Sequence, residues 1–379
     1  MKYKTKVKEV SRGKVSTEDA YNAFTDLTYF SGRFWLCYRT GKGHVSPHGK
    51  IVVRSSGSGD KWTHVQTLEQ KDLDLRDPRL SVMDGKLYLL CFSLSYYKTK
   101  PVKKFHASDS FIYCLEEKKG KEPKFTLVHR FEYEKYKTTL WSFNKIKDTF
   151  YLGGYYFEGA KTTARIWLSK SILGPWDLHV QLQDDYLPSN LCFNEFDMCK
   201  TGPEKDGLFL FLRVGSWHFN RVKYWWNRIK ERFKQKKIEN TSKTKPYNHH
   251  GFCDRIVTAS ANYPFKDFEY KVHNIYLKGP RGIEHPNGTL FFVGRYKKNK
   301  KAPSKEREVA LFIYDREKEM FEHLYTFAKG KDGSYAGLYV DKKDPGSLYV
   351  SFYSDHERLG TDKEGDVNDV WFSRLQLST

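Results

Sequence analysis

A tight polar turn leading into an aromatic, strand-like run recurs along this chain about every 55 residues. The turns are Ser31-Gly32, Asp84-Gly85, Lys147-Asp148, Asp206-Gly207, Asn287-Gly288 and Pro345-Gly346. Each opens into a run such as Arg33-Phe-Trp-Leu-Cys-Tyr-Arg39, Lys86-Leu-Tyr-Leu-Leu-Cys91 or Ser347-Leu-Tyr-Val-Ser-Phe-Tyr353. Asp-Gly and Asn-Gly supply the positive φ that tight hairpins require, and aromatic runs suit half-buried strands. A chain of 379 residues is too long for one ordinary compact core, yet it shows no linker-like tract. Regular repetition of one hairpin unit reconciles the two and predicts an all-β fold, a six-bladed β-propeller filling residues 1–379 as one domain. Lys6 to Val10 supplies the outer strand that closes the last blade. A double-sheet sandwich is the alternative, but it does not require so regular a register.

Sixty-six Lys and Arg against 46 Asp and Glu give a formal charge of +20. The excess is scattered through turns and strand edges, where it blunts edge pairing, except in one place. From Trp217 to Ile238, Val222, Trp225 or Trp226, Ile229 and Phe233 recur at helical spacing amid eight Lys and Arg residues. This predicts a basic amphipathic helix, carried on an insertion over 216–251 in blade four. The pattern fits a lid or dimer contact packed over the propeller, or a helix lying on an anionic membrane surface. Nucleic acid is the weakest of the partners that charge alone suggests. The six cysteines lack the close pairing of a zinc site and read as small buried hydrophobes, so no metal or cofactor is expected. Without an apolar leader or an 18-residue apolar run, the expectation is a soluble, cytoplasmic protein.

In a propeller the inner strands converge on the axis, so the residue opening each blade and the one ending its second strand face a common cleft. The openers are Asp26, Asp77, Ser142 or Asn144, Glu195, Arg281 and Tyr335; the second-strand ends are Arg39, Tyr96, Tyr156, Arg213, Arg295 and Tyr353. Charges bordered by core strands are costly unless they pair or serve a ligand, so this ring argues for a polar ligand.

Asn22-Ala-Phe-Thr-Asp-Leu27, Asp74-Leu-Arg-Asp-Pro-Arg-Leu80, Asn194-Glu195 and Ser351-Phe-Tyr-Ser-Asp-His-Glu357 together resemble the bacterial sialidase-like proteins related to exo-α-sialidases. Ser55 to Trp62 is similar to a degenerate Asp-box, without its leading Asp. The resemblance spans nearly the whole chain and implies a retaining glycoside hydrolase acting on an acidic or other terminal sugar. Sialidases use a Tyr nucleophile rather than a carboxylate. On that pattern Tyr335 is the nucleophile and Glu195 its base, with Arg39, Arg213 and Arg295 as an anion clamp and Arg281 and Tyr353 beside them. Two departures stand out. Phe24-Thr-Asp-Leu27 replaces the family's Phe-Arg-Ile-Pro, removing one clamp arginine, and the loop after Arg39 carries His44 and His48 instead of an acid/base Asp. Asp26, Asp77 or His44 is left as proton donor, and a non-catalytic carbohydrate- or anion-binding propeller is the competing reading.

Overall fold

The computed structural model describes residues 5–378 apart from 45, 98–103, 159–160, 183–190, 203, 205, 217–254, 299–306 and 364–366. The helix expected over Trp217 to Ile238 lies outside the described residues, as does all of its insertion except Ser216. Among the described residues the only α-helix is a single turn, α1 (Tyr133–Tyr136).

The rest is dominated by antiparallel strands. After β1 (Lys6–Lys14), one sheet holds β2 (Tyr21–Phe30), β3 (Arg33–Gly41), β4 (Lys50–Ser56) and β5 (Thr63–Leu68). The next holds β6 (Asp74–Met83), β7 (Lys86–Tyr97), β8 (Lys104–Glu116) and β9 (Lys124–Phe131). A third holds β10 (Thr139–Ile146), β11 (Thr149–Glu158), β12 (Lys161–Ser169) and β13 (Asp177–Gln181). A seven-stranded sheet follows: β14 (Leu191–Thr201), β15 (Gly207–Ser216), β16 (Arg255–Asn262), β17 (Glu269–Glu284), β18 (Leu290–Lys297), β19 (Arg307–Asp315) and β20 (Met320–Gly330). The last contains β21 (Gly333–Val340), β22 (Ser347–Ser354) and β23 (Asp369–Ser378), with β1 added on the edge of β23. β17 joins two halves of the seven-stranded sheet, pairing with β16 through its first residues and with β18 through its last.

The burial pattern follows from stacking sheets face to face. Second strands such as β3 and β22 are buried along almost their whole length, because both of their faces are covered. Outer strands such as β5 and β13 keep exposed positions. Apolar clusters sit between consecutive sheets: Trp35, Ile51 and Leu75 join the first two, and Tyr349 and Phe372 of the last sheet meet Leu36 of the first.

Each of the strands β2, β6, β10, β14, β17 and β21 breaks register once with the strand that follows it, between Ala23 and Asp26, Arg76 and Arg79, Leu140 and Ser142, Phe193 and Phe196, Lys278 and Arg281, and Ser334 and Gly337. A bulge twists a strand and re-aims a side chain. Here the device is repeated at one depth of the fold.

Candidate active site

The re-aimed residues Phe24, Asp77, Trp141, Glu195 and Tyr335 all line one cavity of about 310 Å³. Phe24, Asp77 and Tyr335 hold φ of 58°, 47° and 39°, in the left-handed region that residues with a Cβ seldom occupy. Such strain costs on the order of 1–3 kcal/mol per residue and persists only where the surroundings enforce it.

The Tyr335 hydroxyl donates to Glu195 Oε2 at 2.9 Å, across 140 residues of sequence. The other Glu195 oxygen pairs with Arg213 Nη1. Burial, then the Glu195 charge, lifts the Tyr335 phenol well above the ordinary range, so it stays protonated until a base takes its proton. On the same wall, burial pushes the Asp77 carboxyl up to about 7; Arg76 opposes the rise and Glu195 adds to it. Asp77 is therefore a carboxylic acid near neutrality, the state a proton donor needs. Arg76, Lys278 and Arg295 add cationic groups to the lining. Arg295 is fixed by Gly333 O at 2.6 Å, Asp332 Oδ1 at 2.6 Å and the Tyr353 hydroxyl at 3.0 Å.

Of the residues read from the sequence, Tyr335, Glu195, Asp77, Arg213, Arg295 and His44 meet at this cavity. Ser142, Asn144, Tyr156 and His48 do not line it, the side chain of Tyr96 is outside the described residues, and four others lie away from it. Arg39 is wholly buried, its Nε bonded to Asp74 Oδ1 at 2.7 Å and its Nη1 to Gly43 O at 3.1 Å, so it anchors a loop. Asp26 is wholly buried and accepts from Leu80 N at 2.7 Å. Arg281 bridges Asp26 at 3.1 Å and Asp197 at 3.2 Å behind the wall, a structural tie between β2, β14 and β17. Tyr353 is buried and stacks on Tyr335 from behind, ring centroids 6.4 Å apart. For Asp26 the cause is the bulge, which turns Phe24 inward in its place; for Arg39 and Arg281 it is a buried carboxylate that takes the guanidinium away from the cavity. Sequence reading missed Arg76, which donates to Asp74 at 3.2 Å and to His44 O at 2.8 Å, and also Lys278, Trp141 and Tyr155. Arg76 stands beside Asp77 in the Asp-Leu-Arg-Asp-Pro-Arg run, so its signal was in plain view.

No protein-family model matches the chain, and no curated protein matches it in sequence. In fold it is similar to a Dyadobacter fermentans protein of unknown function, with TM-score 0.69 and 14% identity over 98% of this chain and 99% of that one. It is similar also to an α-L-arabinanase of Penicillium chrysogenum solved with arabinobiose, with TM-score 0.61 and 13% identity over 97% and 98%. A Trypanosoma rangeli sialidase solved with the inhibitor DANA gives TM-score 0.60 and 10% identity over 94% of this chain and 55% of the sialidase. At these identities the likeness is one of fold, and it places the architecture among sialidase-like propellers. Among the described residues no helix is long and apolar enough to cross a membrane.

Proposed function

We propose that the chain is a single six-bladed propeller domain, with β17 shared between its fourth and fifth blades, and a retaining glycoside hydrolase working from the central cavity. The observation that carries this is the Tyr335 hydroxyl held on Glu195 at 2.9 Å. A neutral phenol suits attack at an anomeric centre beside negative charge, because it is not repelled as a carboxylate would be. As the Tyr335 oxygen bonds to the anomeric carbon, Glu195 takes the phenolic proton and Asp77 gives its proton to the departing glycosidic oxygen. In the second step Asp77 removes a proton from the water that attacks the anomeric carbon, and as the bond to Tyr335 breaks Glu195 returns the proton to its oxygen. Arg76, Arg213, Lys278 and Arg295 surround the ligand with donors suited to an acidic or hydroxyl-rich terminal sugar.

Carbohydrate as ligand accords with the arabinobiose bound to the Penicillium arabinanase. A binding propeller without turnover is the second reading, favoured by the tie of Glu195 to Arg213, which competes for the charge that a base must use. Incubation with a panel of aryl glycosides, sialoside and arabinofuranoside included, separates the two. Release of the aryl alcohol, lost in both Tyr335→Phe and Glu195→Ala, establishes the hydrolase; no release from any member favours the binding module.

A further inference from the structure

The loop after β3 carries His44 to the cavity, where its ring packs edge-on against Tyr21 and Phe24 with centroids 5.6 Å and 5.7 Å away. Its Nδ1 lies 2.7 Å from the Tyr21 hydroxyl, which also bonds to Asp332 Oδ2. The proton positions in this chain follow from counting. Burial pushes the Asp332 carboxyl upward, but the Arg295 charge and the Tyr21 hydroxyl outweigh it and hold it below the ordinary range. An ionised carboxylate only accepts, so the single proton of Tyr21 goes to Asp332. The Tyr21 oxygen can then meet His44 only as an acceptor, which requires the proton on Nδ1. Desolvation of the ring, reinforced by the Arg76 charge, keeps the imidazole neutral. A neutral ring with its proton on Nδ1 leaves Nε2 as a bare lone pair.

The loop itself is pinned: Arg39 holds Gly43 O, Arg76 holds His44 O at 2.8 Å, and Leu75 N holds Gly49 O at 3.0 Å. The cavity is otherwise rich in donors from Arg76, Arg213, Lys278 and Arg295, and its two carboxyls are committed to proton transfer. We infer that His44 is a specificity-determining residue: its unprotonated Nε2, set by the Tyr21–Asp332 chain, accepts a hydrogen bond from a hydroxyl of the bound sugar. This rests on the carbohydrate reading of the cavity. It selects sugars with a hydroxyl at that point and rejects analogues in which that group is missing, since the lone pair then stays unpaired.

The test combines two readouts on the full chain. Near neutral pH, ¹⁵N NMR should show His44 with Nδ1 protonated and Nε2 of the unprotonated type, the resonances assigned by their loss in His44→Gln. Tyr21→Phe, which keeps the packing ring but removes the acceptor, should shift the proton toward Nε2. L-arabinose, D-galactose, D-glucuronate and N-acetylneuraminate are then titrated in. A sugar that binds should move the Nε2 resonance and lose affinity roughly 5- to 10-fold in both variants, the worth of one hydrogen bond. A protonated Nε2 in the wild type overturns the inference outright. So does a sugar that binds with full affinity to both variants, while leaving the carbohydrate reading intact. Failure of every sugar to bind the wild type sinks the carbohydrate reading and this inference with it.

Discussion

Arg39 Nε and Asp74 Oδ1 lie 2.7 Å apart with both side chains sealed from solvent, so the arginine that ends the second strand of the first sheet is a structural ion and not a ligand clamp. Burial of two charges is tolerable only when they are well paired, and deleting Arg39 takes away one buried partner of Asp74 while Arg76 at 3.2 Å remains. Arg39→Ala should therefore cost about 2–3 kcal/mol, read as a lowered urea midpoint. A residue that gripped substrate would instead raise KM with the midpoint unchanged. Gly49→Ala tests the same joint, because a Cβ there would fall 1.8 Å from Asp74 Oδ1 and 2.6 Å from Arg39 Nε. It should destabilise comparably.

Tyr335→Phe should separate chemistry from packing. The ring contacts with Phe24 and Tyr353 survive, and Glu195 keeps its Arg213 partner, so the loss of stability should be no more than about 1 kcal/mol. Turnover should fall by roughly 10³-fold or more, as expected when a nucleophile is deleted. An active Phe variant would remove Tyr335 from the mechanism.

Much of this was legible in the sequence alone. Hairpin turns at even spacing gave the strands around the axis, and the order of motifs singled out Glu195 with Arg213, which open and close one hairpin. Asp77, Glu195 and Tyr335 were placed at the cavity from sequence, but at β2 and β10 local sequence could not show which residue the bulge turns inward. A register shift depends on the partner strand, and one step exchanges core and cavity faces. That is why Asp26 was expected at the cleft and Phe24 was not. Arg39 and Arg281 were misplaced for a related reason: an arginine beside the axis looks alike whether its counter-ion is a ligand or a buried Asp. The Tyr21–His44–Asp332 chain links residues up to 311 positions apart, a proximity that only the closed ring creates.

Ring closure itself makes a prediction. β1 pairs with β23 from Lys6↔Ser378 to Lys14↔Trp371, with a break between Glu9 and Ser11. Deleting residues 1–14 leaves β23 with an unpaired edge and uncovers the apolar cluster to which Val7 contributes. An exposed strand edge invites association with other chains. The truncated protein should lose cooperative unfolding and elute as oligomers in size-exclusion chromatography, whereas substituting the exposed Lys8 should do neither.

Asp77 ties activity and stability together with opposite signs. Its folded-state pKa is raised from the ordinary 3.8 to about 7, burial being the main cause. Between those values the folded chain holds a proton that the unfolded chain has released, so the native state loses stability as pH climbs from about 4 to about 7 and gains none back above it. The penalty approaches roughly 4 kcal/mol at most, since each tenfold change in proton affinity is worth about 1.4 kcal/mol. Asp77→Asn removes the titration and suits the positive φ at this position. Its stability advantage over the wild type should be small near pH 4, grow toward pH 7 and then level off, as followed by Tm across the range. The same substitution removes the proposed proton donor and the base for the release step, so kcat/KM for a glycoside with a poor leaving group should collapse, while an aryl glycoside whose leaving group needs no protonation should keep much of its kcat/KM and show a burst followed by slow turnover. In the wild type, kcat/KM for the poor leaving group should fall as pH rises through about 7. A flat profile there would transfer the acid role away from Asp77.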